Sequence, residues 1–339
     1  MNVVTPIERS AKDFATDQDV RWCPGCGDYA ILKAMQNALA ALNADPANTV
    51  FVSGIGCAAR FPYYVATYGF HTIHGRAPAV ATGVKLANPD LDVWVVGGDG
   101  DMLSIGGNHL IHALRRNVDL NILMFNNEIY GLTKGQYSPT SRVGTKSPST
   151  PKGSVDAPLH AASLALGAGA RFVARSIDRM QKHLPDVFKR AHAHTGASFV
   201  EIFQNCIVYN DGVFDDFAEK NAIPDHTIAL EHGQPMTFGA DRHKGLVLNM
   251  KTLALDIVTI GQNGVTESDI LIHDEANKTL ATLLAQMESP AMPVALGVLY
   301  CDPALAYDDA ISKDRINSEM QPHGTMNDLL RCGHTWTVE

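Results

Sequence analysis

Apolar residues run through the first two-thirds of the chain in short continuous blocks separated by amphipathic stretches. Val50-Phe51-Val52, Val93-Trp94-Val95-Val96, Asn121-Ile122-Leu123-Met124-Phe125 and Phe199-Val200-Glu201-Ile202-Phe203 have the length and content of buried strands. Between them, 28–42, 78–87, 105–116 and 177–194 repeat apolar residues at helical spacing. Alternation of this kind predicts an α/β fold: a mostly parallel sheet with helices on both faces. Such sheets bind ligands beyond the carboxyl ends of their strands. Gly54-Ile55-Gly56 and Gly97-Gly98-Asp99-Gly100 fall there. The stretch 138–153 is rich in Ser, Thr, Pro and Gly and reads as a loop, a flexible linker on composition alone. Past residue 215 the pattern weakens, with a helix expected around 276–287 and a strand at 294–299. Residues 1–215 are therefore expected to form the main α/β domain, and 216–339 a C-terminal extension packing on it.

Gly98-Asp99-Gly100 is followed by 25 residues (101–125) and then by Asn126-Asn127. A lone Gly-Asp-Gly is usually only a strand-end turn. Here it follows one buried strand and precedes a helix, and the Asn pair ends the next strand. Two neighbouring parallel strands thus carry a carboxylate and an amide oxygen to one sheet edge. Mg2+ takes hard oxygen ligands in an octahedron and usually keeps phosphate oxygens and water among them. Glycine turns and a helix N-terminus suit phosphate groups. A dinucleotide site fits worse, because the first turn lacks G-x-G-x-x-G.

Gly-Asp-Gly, a spacer of this length and Asn-Asn resemble the diphosphate-binding domain of thiamine-diphosphate enzymes. The longer runs Gly98-Asp99-Gly100-Asp101-Met102-Leu103-Ser104-Ile105-Gly106-Gly107-Asn108 and Asn126-Asn127-Glu128-Ile129-Tyr130-Gly131-Leu132-Thr133-Lys134-Gly135-Gln136 resemble the beta subunits of 2-oxoacid:ferredoxin oxidoreductases. The likeness covers about residues 20–215. It implies the thiamine-diphosphate-binding fold, with Asp99, Asn127 and the Ile129 carbonyl as Mg2+ ligands. Gly56, Cys57, His74, Gly98, Gly100 and Asp101 are implied in cofactor binding, with Gly131, Leu132 and Thr133. His74, in His71-Thr72-Ile73-His74-Gly75-Arg76-Ala77, becomes the candidate catalytic residue; capping the helix that follows is its plainer role. Lys134 and Arg60 are candidates for substrate contact. The Leu132-Thr133-Lys134 run resembles the 2-oxoglutarate and broad-range enzymes more than the pyruvate-specific ones.

The cysteines enlarge the picture. Cys23-Pro24-Gly25-Cys26-Gly27 is a C-x-x-C knuckle, for which the residues alone leave zinc and iron–sulfur both open. No second close pair follows, so further ligands must come singly. Cys57, on a Gly-rich turn, is the natural third, and Cys206 stands at the end of the fourth strand. The family pattern puts the four ligands of one 4Fe–4S cluster at 23, 26, 57 and 206. Cys301 and Cys332 read as incidental thiols.

The resemblance implies thiamine-dependent oxidative decarboxylation of a 2-oxoacid, 2-oxoglutarate favoured, to acyl-CoA and CO2. Coenzyme A is the co-substrate and ferredoxin takes the electrons one at a time. Pyruvate or broad-range specificity, and a non-redox decarboxylase or carboligase, are the alternatives. Thiamine enzymes also need a domain that binds the aminopyrimidine, for which this chain has no second motif set. An alpha subunit is expected to supply it, in a heterodimer or dimer of heterodimers. The net charge of −9 argues against nucleic acid as partner. No run approaches the ~18 apolar residues of a membrane span, and residues 1–21 lack a signal-peptide core. A cytoplasmic location is expected.

Overall fold

A computed structural model describes residues 8–319, 324–333 and 336. Eight strands form the central sheet: β1 (Thr49–Ser53), β2 (Tyr68–His71), β3 (Asp92–Gly98), β4 (Asn121–Asn126), β7 (Phe172–Ile177), β8 (Ser198–Phe203), β9 (Thr227–Ala229) and β13 (Val294–Cys301). Their order is β2-β1-β3-β4-β8-β7-β13-β9. From β2 to β7 every neighbour is parallel. β13 then joins β7 antiparallel and β9 pairs parallel with β13. A small hairpin, β5 (Ile129–Tyr130) with β6 (Gln136–Tyr137), rises from the end of β4. β10 (Thr237–Phe238), β11 (Lys244–Asn249) and β12 (Ala254–Thr259) form a separate antiparallel sheet.

The alternation of side chains along the strands makes two cores. Val50, Val52, Val93, Val95, Ile122 and Met124 face one side, under helices α2 (Ala77–Ala87), α4 (Gly107–Arg116) and α5 (Ala161–Gly167). Phe51, Trp94, Val96, Leu123 and Phe125 face the other, under α1 (Asp28–Ala41) and α6 (His183–Ala193). Fully burying one such side chain contributes about 1.5–3 kcal/mol, so both faces of the sheet are firmly covered. No helix among the described residues is long and apolar enough to cross a membrane.

The four strands expected from the apolar blocks all form, and three findings refine the sequence reading. The helix expected at 177–194 starts only at His183, because Ile177 ends β7 and Asp178 turns to accept the Asn205 N–H at 2.9 Å. The helix expected from 105 starts at Gly107, and α3 (Asp99–Leu103) stands apart, opening on the Gly-Asp-Gly turn. The strand expected at 294–299 forms as β13, and with β9 it enters the main sheet, so two strands beyond residue 215 extend the sheet itself.

Parallel pairing has one consequence for chemistry. β1, β3, β4, β7 and β8 all end at the same edge. That edge receives the Gly54–Cys57 turn, Asp99, Asn127 and the Gln204–Cys206 segment together.

Candidate active site

At this edge a cavity of about 520 Å3 is lined by Gly98, Asp99, Gly100 and Asp101 from the end of β3, and by Asn127 and Ile129 from the end of β4. Gly56, Cys57 and His74 close it on one side; Gly131, Leu132 and Thr133 close it on another. Every cofactor-binding residue expected from the sequence thus faces one space.

Asp99 is buried, and burial raises its carboxyl pKa against the hydroxyls that stabilise the charge. Those hydroxyls belong to Ser138 and Thr140, at 2.5 and 2.6 Å from Oδ2. Thr140 also lies 3.0 Å from Asn126 Oδ1, and Asn126 Nδ2 donates to Glu201 Oε1 at 2.8 Å. Glu201 is held in turn by Arg175, 2.7 Å away, in a pair almost sealed from water. The stretch 138–153 is a loop, but not a free linker. Ser138, Thr140 and Ser141 are buried, and Ser141 donates to the Glu128 carbonyl. Burying these hydroxyls without partners would be costly; the carboxylate and carbonyl they meet are what anchor the loop. Glu128 itself is pushed up to about 7 by burial, against the nearby Arg142 guanidinium.

Asp101 plays a different part. Its Oδ1 accepts the backbone N–H of Ile55 at 3.0 Å and of Gly75 at 2.7 Å, tying the turn after β1 to the turn before α2. His74 Nδ1 lies 2.8 Å from the same oxygen, at ion-pair distance but outside hydrogen-bond geometry. Burial raises the Asp101 pKa, and the two N–H donors oppose that rise. A Cβ on Gly54 would fall 2.0 Å from Asp101 Oδ2, so the carboxylate needs glycine there. Tyr130 completes the wall, donating its hydroxyl to the Gly100 carbonyl at 2.9 Å.

Behind this cavity lies a second, of about 300 Å3, lined by Cys23, Cys26, Cys57 and Cys206 together with Arg60, Gln204 and Tyr209. The two cavities share Cys57, Asn127, Gly131 and Leu132. Gly25, with φ +84°, makes the tight knuckle between Cys23 and Cys26, and the Cys26 N–H donates to the Cys23 carbonyl at 3.0 Å. Trp22 Nε1 donates to the Cys57 carbonyl at 2.7 Å, and Gly27 N–H to the Asn205 carbonyl at 3.2 Å. Three separate chain segments are thereby pinned around one space. Burial pushes the Cys57 thiol up to about 12 and raises the Cys26 and Cys206 thiols as well; buried Asp28 adds to all three shifts. Among the described residues no three His, Cys, Asp or Glu side chains converge on a point that a single ion could occupy.

Of the substrate candidates, Arg60 lines the cysteine-walled cavity, not the glycine-lined one. Lys134 sits exposed on the turn between β5 and β6 with φ +72°, outside the residues lining either cavity. Cys301 lies at the end of β13, 3.9 Å from His194 Nδ1, and Cys332 is exposed; neither joins the other four.

Strand-end glycines, a buried aspartate and the Asn127 amide around one cavity mark a diphosphate-binding domain of the thiamine-dependent class. The thiamine pyrophosphate enzyme C-terminal TPP-binding domain family matches residues 54–202. Over 351 aligned residues the chain is 47% identical to "2-oxoglutarate oxidoreductase subunit KorB" of Mycobacterium tuberculosis, covering 99% of this chain and 90% of that one. It is 48% identical over 203 residues to "2-oxoacid:ferredoxin oxidoreductase 1, subunit beta" of Aeropyrum pernix, covering 60% and 64%. A solved structure of 2-oxoglutarate:ferredoxin oxidoreductase from Magnetococcus marinus, with 2-oxoglutarate, coenzyme A and succinyl-CoA bound, superposes with a TM-score of 0.76 at 32% identity, covering 96% of this chain and 97% of that one. The chain belongs to the beta subunits of the 2-oxoacid:ferredoxin oxidoreductases. As a beta subunit of an oxidoreductase, it works in company with other subunits.

Proposed function

We propose that this chain, with an alpha subunit, converts 2-oxoglutarate, coenzyme A and two oxidised ferredoxins into succinyl-CoA, CO2, a proton and two reduced ferredoxins, reversibly. The observation that carries this reading is the shared wall: a diphosphate-type cavity and a cavity ringed by four cysteines meet at Cys57, Asn127, Gly131 and Leu132.

The donor set suits Mg2+ in the first cavity. Asp99 offers one hard anionic oxygen, and Asn127 and the Ile129 carbonyl offer neutral ones, which leaves positions for phosphate oxygens and water. Gly56, Gly98, Gly100 and Gly131 leave backbone exposed to the diphosphate, with Thr133 beside them. Four cysteines from three chain segments around one cavity of about 300 Å3 offer the thiolate set that a 4Fe–4S cube takes. When bound, thiamine diphosphate supplies the electron sink for loss of CO2, and the cluster accepts electrons one at a time.

The chain's own residues bind and orient. Asp101 holds the 54–57 and 72–76 turns against the cavity, and His74, set beside it in the cavity wall, is the residue we assign to catalysis. Ser138 and Thr140 fix the Asp99 carboxylate. Lys134 and Arg60 are the residues we assign to the substrate and coenzyme A side. Residues 1–215 carry the whole site, and 216–339 serve as an extension completing the sheet. The alpha subunit supplies the pyrimidine-binding domain in a dimer of heterodimers, working in the cytoplasm with ferredoxin.

The test is the two-subunit enzyme purified without oxygen. It should be brown, bleach with dithionite, contain iron and sulfide, and reduce ferredoxin with 2-oxoglutarate faster than with pyruvate. Cys206→Ser should lose iron. A colourless zinc protein that still binds thiamine diphosphate would instead mean a non-redox enzyme.

A further inference from the structure

One buried amide in the wall of the cysteine-lined cavity also holds Asn127, which lines both cavities. Gln204 follows β8 and is 1% exposed. Its backbone is fixed by its own N–H, which donates to the Asn126 carbonyl at 2.8 Å. Its side-chain Oε1 accepts from Asn127 Nδ2 at 2.7 Å. Its Nε2 donates to the Asn205 carbonyl at 2.6 Å and reaches the Cys26 sulfur at 3.4 Å. The neighbouring groups leave no choice about which end of the amide is which. A backbone carbonyl can only accept, so Nε2 faces it, and Oε1 must then face Asn127. That in turn fixes Asn127, whose Oδ1 is directed away from Gln204 and accepts the Ile129 N–H at 3.3 Å.

We infer that Gln204 is a positioning residue shared by the two sites, turning the Asn127 oxygen toward the cation with one end of its amide and holding the Cys26 sulfur of the cluster with the other. The inference rests on the reading of both cavities given above. It draws on three facts of local structure. The backbone bond to Asn126 keeps Gln204 level with the residue next to Asn127. Gly27 leaves space for it, since a Cβ there would fall 3.0 Å from the Gln204 side chain. Asp178 Oδ2, accepting the Asn205 N–H at 2.9 Å, steadies the segment that carries both Gln204 and Cys206. Hydrogen bonds to cluster sulfurs raise reduction potentials by offsetting the charge gained on reduction, and an outer-shell partner that fixes a ligand's orientation supports metal affinity.

Two substitutions separate the two ends. Gln204→Leu removes both, whereas Gln204→Glu keeps an oxygen for Asn127 and loses the N–H toward sulfur. The measurements are made on the anaerobic two-subunit enzyme: cluster potential by a redox titration followed by EPR, and Mn2+ affinity in the presence of thiamine diphosphate by the EPR signal of the free ion. Gln204→Leu should shift the potential to more negative values and weaken Mn2+ binding about tenfold, the effect of one lost buried hydrogen bond. Gln204→Glu should also shift the potential negative but leave Mn2+ affinity within about twofold. Should Gln204→Leu fail to assemble, the split between potential and affinity in Gln204→Glu decides alone. Unchanged values in both variants, a change in only one property in Gln204→Leu, or loss of Mn2+ affinity in Gln204→Glu overturns the shared role. Wild-type enzyme that holds no iron, or binds no Mn2+ with thiamine diphosphate, overturns the underlying reading of the site and takes this inference with it.

Discussion

Replacing Asp101 by alanine removes the carboxylate that holds two separate turns at the rim of the glycine-lined cavity. Its Oδ1 accepts from Ile55 at 3.0 Å and from Gly75 at 2.7 Å. Hydrogen bonds to a charged acceptor are worth about 1.5–3 kcal/mol each. Asp101 lines the cavity, so water can enter the space it leaves and relieve part of the cost. The lower figure is therefore the one to expect, about 1.5 kcal/mol at each amide, or roughly a tenfold rise in its opening equilibrium. Amide hydrogen exchange reads this directly. The Ile55 and Gly75 amides of Asp101→Ala should exchange about tenfold faster, while amides in the middle of β4 stay unchanged. Asp101→Asn keeps an oxygen acceptor and should show a much smaller rise. Gly54→Ala puts a Cβ 2.0 Å from Asp101 Oδ2, forces the carboxylate aside and should reproduce the alanine effect at Ile55. Combined with Asp101→Ala it should add nothing further at that amide. If both amides in Asp101→Ala exchange within twofold of wild type, Asp101 does not hold the rim and the reasoning fails.

Two glycine substitutions should act in opposite directions. Gly27→Ala places a Cβ 1.9 Å from Asp178 Oδ2 and should displace the knuckle and lower iron content on anaerobic reconstitution, whereas Gly83→Ala, in α2 with open space around it, should raise the melting temperature by the ~1 kcal/mol helix preference of alanine. His273 is buried, donates through Nε2 to the Val298 carbonyl at 2.8 Å, and has its pKa lowered chiefly by that burial, with Glu275, His232 and Asp274 nearby. Because the carbonyl can only accept, Nε2 carries a proton and the folded ring stays neutral, while the unfolded ring takes a second proton at its ordinary value of 6.5. The stability His273 contributes is then present above about pH 6.5 and lost as pH falls toward the lowered folded value, by up to about 1.4 kcal/mol per pH unit. Thermal melts of wild type and His273→Gln from about pH 7.5 to about pH 5.5 check this; equal slopes would contradict it.

The strands built on mostly apolar blocks were legible in the sequence, and so was the delivery of Asp99 and Asn127 to one cavity, because parallel neighbours end at one edge. β7 was not. Arg175 and Ser176 interrupt its apolar pattern, yet both are buried, Arg175 through its pair with Glu201 one strand away. A charge inside a strand block, as at Glu201, was the available signal that something buried waited to meet it. Ser138 and Thr140 were hidden for a different reason. Their composition is that of a solvent loop, and only the position of Asp99 shows that their hydroxyls point inward. The contacts of Gln204 depend on side-chain rotamers brought together from β4, β8 and the knuckle, which no local pattern encodes. β9 and β13 illustrate the limit for topology: the apolar run at 294–299 announces a strand but not the sheet it joins.

The partition between the two cavities is Cys57 together with the turn after β4, and at Gly131 it is only a backbone thick. A Cβ there would sit 3.6 Å from Cys206 Sγ and 3.8 Å from Cys57 Sγ. Insertions and deletions between residues 127 and 131 therefore have no neutral direction, since lengthening the turn on one side intrudes on the other. Drift in this part of the chain is confined to changes that suit two chambers at once, whereas the outer turns of the C-terminal sheet answer to neither.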